Sequence, residues 1–406
     1  MMQGQPPSQD SFQSGPPAAV VVRGGLNGLG VVRSLARSGI ISYVVDTSVL
    51  KPAMWSRTSR RVVAPALHGR TIIDALVRLG RILPDKPLLV LTDEAAVVAV
   101  SQAADELRPY YRFRTNSAEL VERLENKARF QEFAIGSGLP VPSGAVIGSR
   151  SGLDQLNALT PPFIIKPANK MMVYLGRTER LHRAASIAEA RAITEALVAT
   201  IGEVVVQEWI PGPDSNILFC LFYQGDGDDA FRSFTGRKLL AQPPQVGSTA
   251  VCVAAPEMHE RLTAITRSFV QQTGYQGFGS LEFKVNDETG AVQIVEPTVG
   301  RTDWQEEIAT LSGVNLPLFA YELETGRATT PSTPDMAVAW RATIAGLVGR
   351  IEGLEGHRVV NGYWRADDPL PALAYSVEAL ARRALSLFAN SNSTRPADQQ
   401  IGAKAQ

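Results

Sequence analysis

Strands and helices take turns through residues 18–113, and this alternation constrains the fold more than any other feature. "AAVVVRGG" (18–25) reads as a short buried strand, "NGLGVVRSLARSG" (27–39) as a glycine-led helix and "ISYVVD" (41–46) as a second strand. "RTIIDALVRLG" (70–80) follows as a helix, "PLLVLTD" (87–93) as a strand and "EAAVVAVSQAADEL" (94–107) as a helix. Wholly apolar strands separated by helices imply a parallel sheet covered on both faces. The pattern predicts an α/β domain over 18–113.

Beyond it the pattern changes. A helix is predicted over 117–137, ended by Gly138 and Pro140. Strands follow at 144–148, in "PFIIKP" (162–167) and in "EVVVQEWI" (203–210), with a helix over 186–199. "NILFCLFYQ" (216–224) and "AFRSFTGRKLL" (230–240) read as antiparallel strands, then a helix over 257–273 and a hairpin over 280–301. This second region, 114–330, is α+β in character. Residues 331–390 read as a helical extension broken at "TTPSTP" and "DDPLPAL". The polar ends, 1–17 and 391–406, read as loose tails.

A chain of 406 residues is too long for one compact core, which agrees with this division. Lys+Arg and Asp+Glu both number 40, so no global charge favours nucleic acid or an anionic membrane as partner. With only Cys220 and Cys252, a disulfide framework is not expected and a reducing compartment fits. No apolar run is long enough to span a bilayer, and the first residues lack the features of a signal peptide. The expectation is a cytoplasmic protein that acts on small molecules, with a homo-oligomer left open.

The hairpin poses a physical problem. About a loop at 287–291, Asn286 faces Val292, Lys284 faces Ile294 and Glu282 faces Glu296, all on one side. Opposed carboxylates destabilise a sheet and cost desolvation where the face is covered. One reading is that Lys284 neutralises a glutamate at a solvated face. The other is that a hard divalent ion is held by both carboxylates together with phosphate oxygens.

Upstream, Lys166 ends a buried run and needs an anion or a route to solvent. "VQEWIPGPD" (206–214) then gives a strand end whose backbone can read an adenine edge, with Asp214 placed to take a ribose hydroxyl. Lys127 in "ENKARF", Lys166 in "FIIKP", then "VQEWIPGPD", "GSLEFKV" and "VEPTVGR" stand in one order. Together they resemble the ATP-grasp superfamily over residues 18–330, most of all its carboligase-type members, D-aspartate ligase-like proteins among them.

The resemblance implies a Rossmann-like first domain, an ATP-grasp domain with a small lid subdomain at 140–207, and an ATP-dependent ligase. The implied cofactors are ATP and Mg²⁺, with Mn²⁺ as an alternative. Lys127 and Lys166 would contact phosphates. The backbone of Gln207, Glu208, Trp209 and Ile210 would hold adenine, and Asp214 the ribose. Glu282 and Glu296 would bind the metal. Thr298 stands where the family usually has a metal-binding asparagine. The lid's glycine-rich loop is absent, since 166–186 has only Gly176, which leaves Lys170, Arg177 or Arg180 for that task. Arg301 and Lys238 would stabilise the transferring phosphoryl group. The substrates would be a carboxylate and an amine or other nucleophile.

"RGGLNGLG" (23–30) lies between a strand and a helix, a phosphate-cradle pattern, and Asp46 closes the next strand. That invites an NAD(P)-dependent oxidoreductase as an alternative, although Asn27 breaks the G-x-G-x-x-G spacing. In an ATP-grasp ligase, Gly24, Gly25, Gly28 and Gly30 would instead contact substrate. A non-catalytic nucleotide-binding protein on the same fold is the other alternative. "RTSRR" (57–61) reads as solvated surface charge.

Overall fold

The computed structural model describes residues 16–331, 333, 335–342 and 351–392. The expected loose ends, apart from their inner edges, lie outside these residues. The first sheet comprises β1 (Ala19–Val22), β2 (Ser42–Asp46), β3 (Ser59–Val63) and β4 (Leu88–Leu91), all parallel, in the order β3-β2-β1-β4. Alternation along β1 and β4 explains why these strands are apolar at every position. Val20, Val22, Leu89 and Leu91 pack on one face against the helices Gly69–Ile82 and Glu94–Gln102. Ala19, Val21, Leu88 and Val90 pack on the other against Leu26–Ala36 and Leu316–Glu324. The basic stretch 57–61 runs into edge strand β3, where Arg61 lies over the Trp55 ring.

A second sheet is small and antiparallel: β5 (Gly144–Ile147), β6 (Phe163–Pro167), β7 (His182–Ala184) and β8 (Val204–Glu208), in the order β5-β8-β6-β7. It has its own core. Ile147, Phe163, Ile165, Val204 and Val206 face the helix Ile187–Ile201. Period two then turns Ile164, Lys166, Val205 and Gln207 to the opposite face.

The third sheet has seven strands: β9 (Ile217–Gln224), β10 (Phe231–Gln242), β11 (Ser248–Ala254), β12 (Gly277–Val285), β13 (Val292–Val299), β14 (Val338–Arg341) and β15 (Arg358–Asn361). The order is β13-β12-β9-β10-β11-β14-β15, antiparallel except for β14–β15. Leu218, Cys220, Leu281 and Phe283 share a core with one face of the parallel sheet, and Phe219, Leu221 and Tyr223 with the other. Both cysteines are buried and unpaired. Among the described residues no helix is long and apolar enough to cross a membrane.

Three expectations need correction. The helix predicted over 117–137 is two, Ala118–Glu125 and Lys127–Gly136, broken at Asn126. The Asn126 side chain caps the second helix by accepting from the N–H groups of Ala128 and Arg129, which places Lys127 at its first position. Residues 331–390 are not only helical, because β14 and β15 join the seven-stranded sheet ahead of the helix Leu370–Asn392. In the hairpin, Glu282 does face Glu296, but a bulge follows. Phe283 pairs with Ile294 and Lys284 with Gln293, so Val295 is the extra residue.

Candidate active site

The small sheet and the seven-stranded sheet face each other across a cleft. From the small sheet come Ile164, Lys166 and Gln207, and from the large one Glu282, Lys284, Val295 and Glu296. Lys127 reaches in from its helix, and Glu208, Trp209 and Ile210 line the edge. The Ile210 N–H makes no hydrogen bond among the described residues. It is left free to meet a ligand's acceptor, while Trp209 N–H donates to Pro162 O at 2.8 Å.

Each opposed glutamate has its own cations. Lys238, 3% exposed, donates to Glu282 Oε2 at 2.6 Å. Lys127 donates to Glu296 Oε1 at 2.7 Å, with Lys170 at 3.3 Å and Arg180 at 3.7 Å. Burial alone would raise the Glu296 pKa, but Lys127, Lys170 and Arg180 hold it well below the carboxylate range. Lys284 is not the neutralising partner: its Nζ lies 4.2 Å from the Trp209 ring centroid and makes no ion pair with either acid. Of the three cations that might replace the missing lid glycines, Lys170 and Arg180 reach Glu296.

Lys166 Nζ donates to Gln207 Oε1 at 3.0 Å, and Gln207 in turn donates to Gln131 at 2.8 Å. Burial, then the neighbouring Lys127, pushes the Lys166 pKa down to about 8. An anion in the cleft would reverse both effects. Lys170 also meets Glu125 at 2.8 Å and Glu94 at 3.0 Å. Glu94 accepts from Arg301 Nη2 at 2.9 Å, so the positions of Lys170 and Arg301 are linked. Glu94 and Glu125 had no signal in the sequence, where they read as ordinary residues of helix surfaces.

A second, wider cleft of about 580 Å³ continues from the first toward the parallel sheet. Lys238, Thr298 and Arg301 line it, as do Arg23 and Gly25. Of the four glycines, only Gly25 reaches this surface. A Cβ on Gly28 would lie 2.1 Å from Arg23 O, on Gly30 3.0 Å from Glu307 Cβ, and on Gly24 3.0 Å from Val44 Cγ1. Those three serve close packing. Asp214 lies outside the lining of the first cleft; its carboxylate accepts from Ala241 N at 2.7 Å and Gln245 N at 2.5 Å. Asp46 accepts from the N–H groups of Gly24 at 2.7 Å and Thr47 at 2.6 Å and is 1% exposed. A carboxylate so occupied is not offered to a ribose, which disfavours the dinucleotide reading.

Glu282 and Glu296 suit a hard cation by chemistry and register. Among the described residues there is no group of three or more acidic, His or Cys side chains that could hold a metal. A divalent ion bound here would take its other ligands from phosphate oxygens and water, as Mg²⁺ commonly does.

No family model matches the chain. It is 25% identical over 315 residues to a D-aspartate ligase of Enterococcus faecium (strain Aus0004), covering 73% of this chain and 74% of that protein. Among solved structures it resembles the ADP complex of N5-carboxyaminoimidazole synthetase from Staphylococcus aureus, with TM-score 0.61, 13% identity and 80% of each chain covered. It also resembles an L-amino acid ligase from Bacillus licheniformis, with TM-score 0.57, 16% identity, 76% of this chain and 74% of that one. The biotin carboxylase domain dimer of the Hydrogenobacter thermophilus 2-oxoglutarate carboxylase, solved with MgADP and bicarbonate, gives TM-score 0.59 at 15% identity, with 80% and 74% covered. The chain thus shares the fold of these solved structures and is similar in sequence to a D-aspartate ligase.

Proposed function

We propose that the chain is an ATP-dependent ligase that activates a carboxylate as an acyl-phosphate and joins it to an amine. A carboxylate oxygen of the acid attacks the γ-phosphorus and ADP leaves. The amine then attacks the acyl carbon, phosphate departs and the nitrogen loses a proton. One observation carries the reading: Glu282 and Glu296 stand directly opposed in the sheet, Glu282 held by the buried Lys238 and Glu296 by the partly buried Lys127, on the wall of the cleft between the two sheets.

In this reading Lys127 and Lys166 bind phosphates and the backbone at 207–210 holds the base. Glu282 and Glu296, with Thr298 nearby, hold Mg²⁺, which would screen the phosphates' charge when bound. Lys238 and Arg301, which line the wider cleft, stabilise the phosphoryl group in transit. Gly25 borders the acceptor substrate, and Asp214 acts by holding the 241–245 turn. The Rossmann-like domain, the lid at 140–207 and the C-terminal extension follow the ATP-grasp arrangement.

The test is an ADP-release screen with pooled carboxylates and amines and mass detection of the coupled product. D-Aspartate belongs in the first pools, given the ligase relative. Glu296→Gln should abolish ADP release. Turnover intact in that variant, or Mg-ATP bound by the wild type without ADP formed across the panel, refutes the proposal.

A further inference from the structure

Lys284 is 5% exposed, and its Nζ has no hydrogen-bond partner among the described residues. A buried ammonium without an acceptor is costly, so such a group calls for explanation. Its neighbours are all engaged elsewhere. Trp209 offers only the face of its ring. Arg183 of β7, with its guanidinium carbon 4.3 Å from the same ring centroid, adds like charge. Asp214 gives both oxygens to backbone N–H groups, and Glu282 on the same strand is taken by Lys238.

Lys284 nonetheless lines the cleft between the two sheets, together with Ile210, whose N–H has no partner among the described residues. It does not belong to the phosphate end. The cations beside Lys166 are Lys127 and Arg180, whereas the cation beside Lys284 is Arg183. The Lys284 ammonium and the Ile210 N–H therefore sit unused beside the Trp209 ring, where hydrogen-bond acceptors on the ligand would satisfy them.

We propose that Lys284 reads the nucleoside: its ammonium donates a hydrogen bond to an acceptor on the base edge or the ribose of the bound nucleotide, and so determines nucleotide specificity. The inference rests on the ATP-binding reading above. A lysine that merely covers Trp209 with its stem is the structural alternative.

Calorimetric binding decides between them. Lys284→Met should weaken Mg-ATP and Mg-ADP together by about tenfold or more, the scale of a charged hydrogen bond lost. The ATP-to-ADP affinity ratio should stay within about twofold, because no phosphate contact is lost. ATP analogues locate the acceptor. The one that lacks it (2′-deoxy or 3′-deoxy for the ribose, 7-deaza for the base) should bind the wild type more weakly than ATP does, yet bind Lys284→Met as ATP does. Lys284→Leu carries the same expectation where Lys284→Met does not fold. Unchanged ATP affinity, or a loss confined to ATP, overturns the proposal. Wild type that binds no nucleotide overturns the ATP reading as well, whereas tight wild-type binding with an indifferent variant overturns this inference alone.

Discussion

Glu306 provides a test of the packing beneath the site that needs no substrate. It is 2% exposed, and its Oε1 has no hydrogen-bond partner among the described residues. Burial, with nearby Asp303 adding repulsion, pushes its pKa up from 4.5 to about 8. In the unfolded chain the carboxyl is ionised at pH 7, whereas in the folded chain it carries a proton. The folded state therefore binds more protons between the two pKa values, and stability falls as pH rises through that window. One pH unit is worth about 1.36 kcal/mol, so the about 2.5 units from 4.5 to pH 7 amount to about 3 kcal/mol. Glu306→Gln removes the titration. A buried amide lacking partners costs about 1–3 kcal/mol of its own, but that cost does not change with pH. The slope is thus diagnostic. Relative to wild type, the variant should gain about 2–3 kcal/mol between pH 5 and pH 7 in urea unfolding. A stability difference that is flat from pH 5 to pH 8 refutes the assignment of Glu306 as a buried, protonated acid.

Three other expectations follow from the same geometry. Lys170→Met leaves Glu94, Glu125 and Glu296 converging without the cation that lies within 3.3 Å of each; at neutral pH it should cost about 3 kcal/mol by urea unfolding. The deficit should shrink as pH falls, because burial already raises the Glu125 pKa and loss of Lys170 raises it further. Gly28→Ala forces a Cβ to 2.1 Å from a backbone oxygen and should cost about 1–3 kcal/mol or more in a thermal melt. Gly25→Ala, with nothing within 4 Å, should cost less than about 1 kcal/mol.

What was legible in the sequence was whatever local physics decides. The parallel sheet was readable because strands buried on both faces are apolar at every position, as β1 and β4 are. The pairing of Glu282 with Glu296 followed from the loop, but not the bulge at Val295, which no residue in "QIVEP" announces. The break at Asn126 was hidden because "LENKARF" continues the helical pattern; only an asparagine capping two N–H groups ends it. β14 and β15 have four residues each and owe their existence to β11, far away in sequence. What holds Asp214 in place was hidden for a similar reason. Its partners, Ala241 and Gln245, lie beyond the whole of β9.

The arrangement of lysines bears on how a highly charged ligand could enter without unfolding the cleft. Two acids side by side on a covered sheet face are unstable alone, and in this structure Lys238 and Lys127 satisfy them. Lys166 is different: among the described residues its one hydrogen bond is to an amide, and burial already weakens its hold on a proton. Under the ligase reading, a magnesium–nucleotide complex offers each group a better partner at once. Glu282 and Glu296 would hold the metal, while Lys127, freed from Glu296, and Lys166 would bind phosphate. Charges stay paired before and after, so the desolvation cost of the buried ions need not be met again when ligand binds. A ligand with phosphates but no metal would draw the lysines away and leave Glu282 and Glu296 facing each other unscreened. Nucleotide affinity should therefore depend on divalent ion far more strongly in wild type than in Glu296→Gln, where one of the two opposed charges is gone.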